Sequence, residues 1–309
     1  KIAKTVKYWN FSKLEMEILE KDNILQYYNL KTNLKRFKRP FKCILGKNCG
    51  ALSASSIVDY YGKLFQKMGG IIKLSTKITN FYFKNQEEYC PPWKNQHLQY
   101  VIDQNKQKYH AKKFLFCLGA WTPELMVKMG IAPLVYPKKR QLFLFKVKNP
   151  RILTNHPNPP ALILPEGGIY LKPIQNGKMY VIGCANQMSN PFLRLEDPPT
   201  AEPNYFKHVI YPVFREYFPD IAVKTPFSQW AGYYSYYTPD SNPIIESKEN
   251  ITWVSGTSGS GIMKGDSIGR ITAGKILNKK TIQLGKGDNF QISNLSLKDR
   301  HTEPESFVI

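Results

Sequence analysis

The sequence predicts a mixed α/β fold, in which strand–turn–helix units accompany a stretch of antiparallel sheet. An apolar strand, a glycine-rich loop and a helix follow one another in Ile251–Leu277. A second strand–turn–helix unit runs from Lys113 to Met129, as is typical of α/β packing. Residues 131–227 instead show short strands punctuated by Pro and Gly, which indicates an antiparallel sheet with a helix across it.

Composition limits the class of protein. The 309 residues are enough for one large domain or two interlocked ones, and 42% hydrophobic residues predict a packed core. The chain has no apolar run long enough to predict a transmembrane helix. Its five cysteines are odd in number and fit neither a C-x-x-C motif nor a zinc site, so we expect free thiols, a reducing compartment and no metal.

The chain is strongly basic, with 44 Lys and Arg against 23 Asp and Glu and a net charge of +21. Such a balance invites a nucleic-acid interpretation. However, the lysines are scattered along the chain, and no zinc-finger, RRM or KH signature is present. We therefore expect a solvated basic surface that favours anionic substrates or membrane lipids, no specific nucleic acid, and a cytoplasmic or membrane-peripheral location.

Hydrophobic periodicity predicts the elements of the first third of the chain. A helix over Ser53–Met68 is capped by Ser53 or Ser55 and ends at Gly69 and Gly70. The remaining predictions there are a polar helix at Phe11–Lys21, strands at Ile71–Leu74 and Ile78–Phe83, and a polar excursion at Asn85–Gln99.

The later elements follow from the same patterns. A buried strand at Lys113–Leu118 precedes a helix for which Thr122 is the expected N-cap, followed by Pro123 and Glu124. Further predicted elements are strands at Gln141–Lys148, Ala161–Pro165, Gly168–Pro173 and Met179–Ala185, and a helix at Asn204–Phe218.

The glycine-rich loop is the most informative motif. Gly256, Gly259, Gly261 and Gly265 let the backbone pass close to a flat or anionic ligand. A helix expected to begin near Asp266 or Ser267 aims its free N–H groups at that loop. The alternative is an ordinary turn between a strand and a helix. No G-x-G-x-x-G motif follows a strand near residue 1.

Four segments in a fixed order resemble the D-amino-acid oxidase family of flavoproteins. They are FLFCLGAWTPEL, GGIYLKP, QWAGYYSYYTPDSNPII and GTSGSGIMKGDSIGRI, and the resemblance spans residues 41–285. The sequence looks most like the sarcosine oxidase, dimethylglycine dehydrogenase and archaeal dye-linked L-proline dehydrogenase members.

The resemblance implies two discontinuous domains: an incomplete Rossmann-like FAD-binding domain and a substrate domain with a mixed or antiparallel sheet. The FAD-binding domain comprises 43–80, 105–130 and 246–285, and the substrate domain comprises 1–42, 81–104 and 131–245, with 286–309 as a tail. In this family a first βαβ unit with a G-x-G-x-x-G motif holds the FAD pyrophosphate. We expect that unit to come from outside these 309 residues, either from a preceding segment or from a partner subunit; the alternative is a relative that binds no flavin.

The resemblance also implies the site. Tyr170, Tyr234 and Lys264 are expected to bind substrate, although the family's carboxylate-binding Lys aligns with Met263. The alternatives are core tyrosines and a solvated lysine. No residue is assigned a catalytic role. The positions expected to contact FAD are Ile78, Cys117 (taken as an inert buried thiol), Gly119, Ala120, Trp121, Gly256, Ser258, Gly259, Ser260, Gly261, Ile262, Met263 and Lys264.

The implied activity is oxidation of a C–N bond in a small amino or imino acid, such as proline or sarcosine. Segment Ala231–Tyr237 has no Cys for covalent attachment, so FAD is expected to be noncovalent. Val181 stands where sarcosine oxidases place an oxygen-activating Lys, which favours a dehydrogenase that uses a dye, quinone or protein acceptor. The alternative is a noncatalytic assembly or interaction protein with a basic surface.

Overall fold

A computed structural model describes residues 15–34, 36, 42–84, 97–174, 177–185, 195–221, 225–285, 287–298 and 300–305. The strands are β1 (Met16–Glu20), β2 (Lys42–Gly46), β3 (Ile78–Phe83), β4 (Leu98–Asp103), β5 (Lys108–His110), β6 (Phe114–Phe116), β7 (Val135–Lys146), β8 (Leu162–Ile163), β9 (Ile169–Ile174), β10 (Met179–Cys184), β11 (Ser228–Tyr237), β12 (Ile244–Lys248), β13 (Ile251–Ser255), β14 (Thr281–Leu284) and β15 (Asp288–Gln291). The α-helices are α1 (Lys21–Ile24), α2 (Ala54–Lys67), α3 (Thr122–Lys128), α4 (Pro203–Tyr205), α5 (Tyr211–Tyr217) and α6 (Gly261–Ile276).

The largest sheet is antiparallel, with strand order β11-β7-β10-β9-β8. One face is covered by α4, a π-helical turn at Phe206–Ile210 and α5, which together form the helix predicted at Asn204–Phe218. Phe143 and Phe145 on β7 pack against Phe206 and Phe214 respectively and are fully buried. Because residues alternate between faces along a strand, the other face carries the intervening side chains, including those of the candidate site.

The glycine-rich motif belongs to a second sheet, with order β12-β13-β6. β13 pairs antiparallel with β12 and parallel with β6, and Trp253 at its centre is buried. Helix α6 leaves the carboxyl end of β13 and packs on β12. Within the described residues β6 is an edge strand, so the strand predicted as buried at Lys113–Leu118 is only half covered: Leu115 is 48% exposed. The antiparallel five-stranded sheet with its covering helices and the β12-β13-β6 sheet with α6 together confirm the predicted mixed α/β fold.

Three further sheets complete the described fold: β1-β2, β3-β4-β5 and β14-β15. Strand β3 matches the prediction for Ile78–Phe83. The domain boundary predicted after residue 80 falls inside β3, and the one predicted after residue 104 falls between β4 and β5. Both boundaries would divide one hydrogen-bonded sheet. The division into two domains remains a prediction.

Several local predictions are wrong. Met16–Glu20 forms a strand rather than part of the polar helix at Phe11–Lys21, because β2 supplies its hydrogen-bonding partner. The first residues of that predicted helix lie outside the described chain, as do 85–96 of the polar excursion. Ile71–Leu74 is irregular and exposed instead of a strand. Thr122 is the first residue of α3 rather than its N-cap, and its buried hydroxyl has no hydrogen-bond partner among the described residues.

Helix α2 confirms the predicted helix, and Ser53 caps it by accepting a hydrogen bond from the Ser56 N–H at 3.3 Å. Its apolar stripe is not buried against the described residues, since Val58 is 67% exposed and Phe65 is 53% exposed. None of the described helices combines the length and apolar composition that crossing a bilayer requires.

Candidate functional site

The glycine loop after β13 has a backbone that depends on residues with unusual torsion angles. Gly256 and Gly259 have φ values of +70° and +95°, and Ser258 adopts φ +49°. A Cβ at Gly256 would lie 2.8 Å from Cβ of Tyr237, so no larger residue fits there. Glycine is needed at this position both for its torsion and for the close approach of β11.

Two serines fix this loop to β11. The Gly256 N–H donates to Ser235 Oγ at 2.7 Å, and the Ser258 N–H donates to the Ser235 carbonyl at 2.9 Å. Ser258 Oγ accepts from the Tyr237 N–H at 3.0 Å and donates to the Gly256 carbonyl at 3.1 Å. Both serines are buried, so these bonds hold the loop in one conformation.

Helix α6 begins at Gly261, about one turn and a half before the expected start near Asp266 or Ser267. Gly261, Ile262, Met263, Lys264 and Gly265 are therefore helical residues rather than loop residues. Ser260 occupies the N-cap position, but its hydroxyl donates to the Thr257 carbonyl at 3.0 Å and caps no helical N–H. Among the described residues, no side chain accepts a hydrogen bond from the first N–H groups of α6, so these groups can bind an anionic group.

An open groove separates α6 from α2, with a volume of about 1200 Å³. Its α2 side presents Ile57, Tyr60 and Tyr61, and its α6 side includes Gly265 and Gly269. Apart from the backbone of α6 and the adjacent residues, no described atom lies within 4 Å of a Cβ built on either glycine, so the α6 backbone is accessible from the groove. Ile262 and Met263 line the same groove and are 50% and 58% exposed, respectively.

The Gly119–Trp121 turn stands beside the glycine loop. It forms a 3-10 turn in which Gly119 has φ +53° and Ala120 is buried. Ser255 Oγ donates to the Gly119 carbonyl at 3.0 Å and lies 3.1 Å from Ser235 Oγ. The turn, the loop and β11 are therefore connected through one buried pair of hydroxyl groups. Trp121 stays 42% exposed, with its ring edge-to-face against Tyr233.

Cys117 and Ile78, two other positions expected to contact the cofactor, are exposed to solvent. Cys117 is exposed just beyond β6, which corrects the expectation of a buried thiol. The reason is that β6 lies at the edge of the described sheet, with one side uncovered. Ile78 begins β3, where it pairs with Asp103 and is 36% exposed.

The structure brings Tyr170 and Tyr234 together on the open face of the five-stranded sheet. Tyr170 pairs with Gly183 on β10, and its ring crosses that glycine: a Cβ there would lie 2.5 Å from Tyr170 Oη. Burial raises the pKa of Tyr170, with Tyr234 adding to the rise, and burial likewise raises the pKa of Tyr234. Both phenols therefore remain protonated at physiological pH and can donate hydrogen bonds.

Arg140 joins these two tyrosines and was missed by the sequence-based prediction. It lies on β7 opposite Gly232, and its guanidinium carbon is 5.4 Å from the centre of the Tyr234 ring. The charge of Arg140 acts against the rise in the pKa of both tyrosines. The signal was strand alternation: in β7, Lys138 and Arg140 share the face that Lys139 does not.

The other tyrosines of β11 have separate roles. Tyr237 is a core residue, buried beneath the Arg300 guanidinium at 4.7 Å. Tyr233 accepts a hydrogen bond from the Glu196 N–H at 2.8 Å, and Tyr236 lies under the Lys138 ammonium at 4.4 Å. Lys264, expected at the substrate carboxylate, instead forms an ion pair with Glu305 at 2.7 Å. Its role in substrate binding remains a prediction.

Comparison with known proteins identifies relatives of this arrangement. The sequence profile of the DAO family, described as FAD dependent oxidoreductase, matches residues 1–275. The chain is 27% identical over 200 residues to FAD-dependent oxidoreductase domain-containing protein 1 of Bos taurus, covering 58% of this chain and 36% of that protein. It is 28% identical over 173 residues to the Mus musculus protein of the same name, covering 50% and 33%. The chain thus spans about a third of the length of these curated relatives.

Solved structures share the fold at low identity. L-proline dehydrogenase from P. horikoshii superposes with a TM-score of 0.68 and 19% identity, covering 90% of this chain and 68% of that one. Glycine oxidase from Geobacillus kaustophilus gives a TM-score of 0.66 and 16% identity, covering 97% and 71%. Iminodiacetate oxidase from Chelativorans sp. BNC1 gives 0.64 and 14%, covering 99% and 72%.

Proposed function

The chain belongs to the family of FAD-dependent oxidoreductases, whose cofactor is FAD, and on that premise we propose that it oxidises a C–N bond of a small amino or imino acid. The observation that carries the proposal is the convergence of Tyr170, Tyr234 and Arg140 on one sheet face. Strand β11 joins this cluster to the glycine loop, because Tyr234 faces the open side while the adjacent Ser235 holds Gly256.

The residues around the glycine loop fit a flavin. In the described part of the chain the first N–H groups of α6 carry no side-chain cap, and the groove beside them has apolar walls and accessible glycine backbone. An anionic edge of a flat ring is stabilised by such a helix end. When bound, FAD supplies the acceptor for a hydride from the substrate. We assign Gly256, Ser258, Gly259 and Ser260 to the loop that would hold it, with Gly119–Trp121 beside it.

The chain's own part in the reaction is to bind and orient the substrate. Tyr170 and Tyr234 offer two protonated phenols at fixed positions, and their rings form an apolar wall with some affinity for an ammonium group. Holding the substrate in one orientation supplies much of the rate enhancement that a protein adds to a cofactor's chemistry. No acid–base residue is required from this chain for that role.

We further propose that a βαβ unit from outside residues 1–309 completes the FAD site. The apolar stripe of α2 is solvent-exposed, with Val58 and Phe65 each more than half exposed. Strand β6 offers a free edge in the described sheet and already pairs in parallel with β13, as an added parallel strand would require. A βαβ unit carries both the strand and the helix that would cover these two surfaces.

The electron acceptor is proposed to be a dye, quinone or protein rather than oxygen. Val181 supports this proposal, because it is buried at the position where sarcosine oxidases carry a lysine. However, Lys172 of β9 stands directly opposite Val181, and opposed residues of antiparallel strands share a face. Oxygen reactivity must therefore be measured with Lys172 both present and replaced.

The test compares acceptors with the natural full-length protein carrying its flavin. We expect faster reduction of a redox dye than of oxygen during amino-acid oxidation, both in the parent and in Lys172→Met. Hydrogen peroxide formation at the rate of dye reduction would instead establish an oxidase. Acid precipitation should release the flavin into the supernatant, since the proposal makes it noncovalent; flavin retained in the pellet would contradict that part.

A further inference from the structure

The segment Arg300–Glu305, here called the strap, returns to the turn between β11 and β12 and places a carboxylate beside the start of α6. We propose that Glu305 of the strap is a positioning residue that sets the reduction potential of the bound flavin. It does so by neutralising Lys264 in the first turn of the helix. This role rests on the proposed function, since it requires a flavin at the glycine loop.

The strap is bound to this turn by contacts other than its ion pair with α6. The Arg300 guanidinium binds the Asp240 carboxylate, with Nη2 at 2.7 Å from Oδ1. The side-chain amide of Asn242 donates to the Glu303 carbonyl at 2.8 Å. The Glu305 N–H donates to the Asp240 carbonyl at 2.7 Å. These bonds hold the backbone of Glu305, so its carboxylate stands near α6 independently of the cation that it meets there.

The turn that holds the strap borders the glycine loop. The Tyr237 N–H at the end of β11 donates to Ser258 Oγ at 3.0 Å. A Cβ at Gly256 would lie 2.8 Å from Tyr237 Cβ and 3.5 Å from the Asn242 carbonyl oxygen. The Arg300 guanidinium lies over the Tyr237 ring at 4.7 Å. The strap therefore packs against the same residues that fix the loop.

Lys264 is the only charged residue among the first four of α6, which are Gly261–Lys264. Its Nζ lies 2.7 Å from Glu305 Oε2, and the two side chains are 31% and 23% exposed. Because both are partly withdrawn from water, salt screens them less than an exposed pair. An unpaired ammonium at this position would add to the positive end of the helix dipole, whereas the ion pair has no net charge.

The charge at the start of α6 affects the redox equilibrium of a flavin held there. Accepting a hydride adds negative charge to the ring, so a nearby positive charge stabilises the reduced form and raises the reduction potential. A nearby negative charge lowers the potential. Removing Glu305 exposes a cation and removing Lys264 exposes an anion, so the two changes should act in opposite directions. Loss of packing alone would not produce opposite signs.

The experiment measures the midpoint potential of the flavin in the natural full-length protein, by anaerobic reduction at pH 7 beside a reference dye. We expect Glu305→Gln to raise the potential and Lys264→Met to lower it. Each shift should correspond to a three- to tenfold change in the ratio of reduced to oxidised flavin, or about 15–30 mV for a two-electron couple. The double variant again has no net charge and should stay within about twofold of the parent, or about 9 mV.

A second ion pair on the same helix provides the matched control. Lys275 and Glu246 lie 3.1 Å apart with side chains 20% and 17% exposed. Lys275 stands about 16 Å beyond Lys264 along the helix axis. Glu246→Gln removes the same charge as Glu305→Gln and should shift the potential less than twofold. Lys264→Arg keeps the charge and should keep the parental potential. It and Lys264→Met test the proposal even where Glu305→Gln does not fold.

Several results would overturn the proposal. They are an unchanged potential in Glu305→Gln, shifts of the same sign in Glu305→Gln and Lys264→Met, an equal shift in Glu246→Gln, and a full-length parent that binds no flavin. A flavin that shows the expected shifts but is bleached by no small amino acid would contradict the proposed function alone. Amino-acid oxidation by a protein whose flavin potential does not respond to Glu305→Gln would contradict this role alone.

Discussion

The ring of Tyr170 crosses Gly183 so closely that a Cβ added to Gly183 would lie 2.5 Å from both Cζ and Oη of Tyr170. The same Cβ would meet Cδ2 of Leu142 at 2.9 Å. Glycine at this position therefore decides where the phenol of Tyr170 stands on the open sheet face, and with it the position of the hydroxyl beside Arg140.

Gly183→Ala should move Tyr170 and weaken substrate binding. Overpacking of this kind costs about 1–3 kcal/mol, because the ring must leave its position or the strands must separate. We expect a raised KM for the amino-acid substrate and a lowered melting temperature. Gly232→Ala is the matched stability control, since apart from its chain neighbours no described atom lies within 4 Å of a Cβ there. A Gly183→Ala variant with parental KM and melting temperature would show that Tyr170 is not held by this contact.

Arg300→Met should strongly destabilise the fold. The Arg300 guanidinium binds the Asp240 carboxylate through Nε and through Nη2, the latter at 2.7 Å, and both side chains are only 10% exposed. Removing the cation leaves a buried carboxylate without its partner, which costs about 3–5 kcal/mol. Chemical denaturation at pH 7 measures the loss.

The exposed pair of Arg270 and Asp266 serves as the control. Its side chains are 61% and 60% exposed, so Arg270→Met should change stability by less than about 1 kcal/mol. Burial opposes ionisation of Asp240, but hydrogen bonds from Arg300, Thr302 and the Asn242 N–H lower its pKa overall. The stabilising contribution of the Asp240 carboxylate is thus present above the unfolded carboxyl pKa near 3.9 and is lost at more acid pH. There the stability losses of Arg300→Met and Arg270→Met should converge. Equal stability losses in these two variants at pH 7 would contradict a stabilising role for the buried pair of Arg300 and Asp240.

Lys138→Met should stabilise the protein below pH 8. Burial, assisted by the charge of Arg140, lowers the pKa of Lys138 to about 8. Between that pH and the ordinary value near 10.4 the unfolded chain binds more protons, so parental stability rises with pH in this window and is lowest below it. The gain from methionine should be about 1–3 kcal/mol at pH 7 and shrink toward pH 10. A gain that does not vary with pH would show that the charge of Lys138 is not its cause.

Gly265→Val should reduce flavin retention without unfolding α6. The new side chain enters the groove, where no described atom outside the α6 backbone and the adjacent residues lies within 4 Å of a Cβ, and valine is a better helix former than glycine. Ser267→Val on the same helix does not line the groove and should retain parental flavin content. The flavin-to-protein absorbance ratio after gel filtration distinguishes the two. Equal flavin content in both variants would place the flavin elsewhere.

Most elements could be predicted from periodicity and turn residues, because their signals are local. Helix α2 and its Ser53 cap, strand β3 and the strand–loop–helix unit ending in α6 are examples. Strand β1 and the start of α6 could not be predicted. The first depends on pairing with a distant strand, and the second on hydrogen bonds that turn Ser260 toward Thr257 rather than toward the helix.

Motifs indicate candidate site residues in a single sequence, whereas strand register, which decides which side chains lie together, cannot be read from it; the roles of the candidate residues remain predictions. Tyr170 and Tyr234 were named from motifs, and the structure places them on one face. Arg140 had no motif, and only the pairing of β7 with β10 and β11 brings it beside them. Ion pairs between distant segments, such as Lys264 with Glu305, are equally invisible in a single sequence because they depend on how the chain returns.

The most direct test of the central claim is anaerobic mixing of the natural full-length protein with small amino and imino acids, followed by its visible spectrum. The account predicts that L-proline, sarcosine or a similar substrate bleaches the bound flavin and that a redox dye restores the colour. Failure of every small amino acid to bleach a bound flavin would contradict it, and would favour a noncatalytic interaction protein built on the same fold.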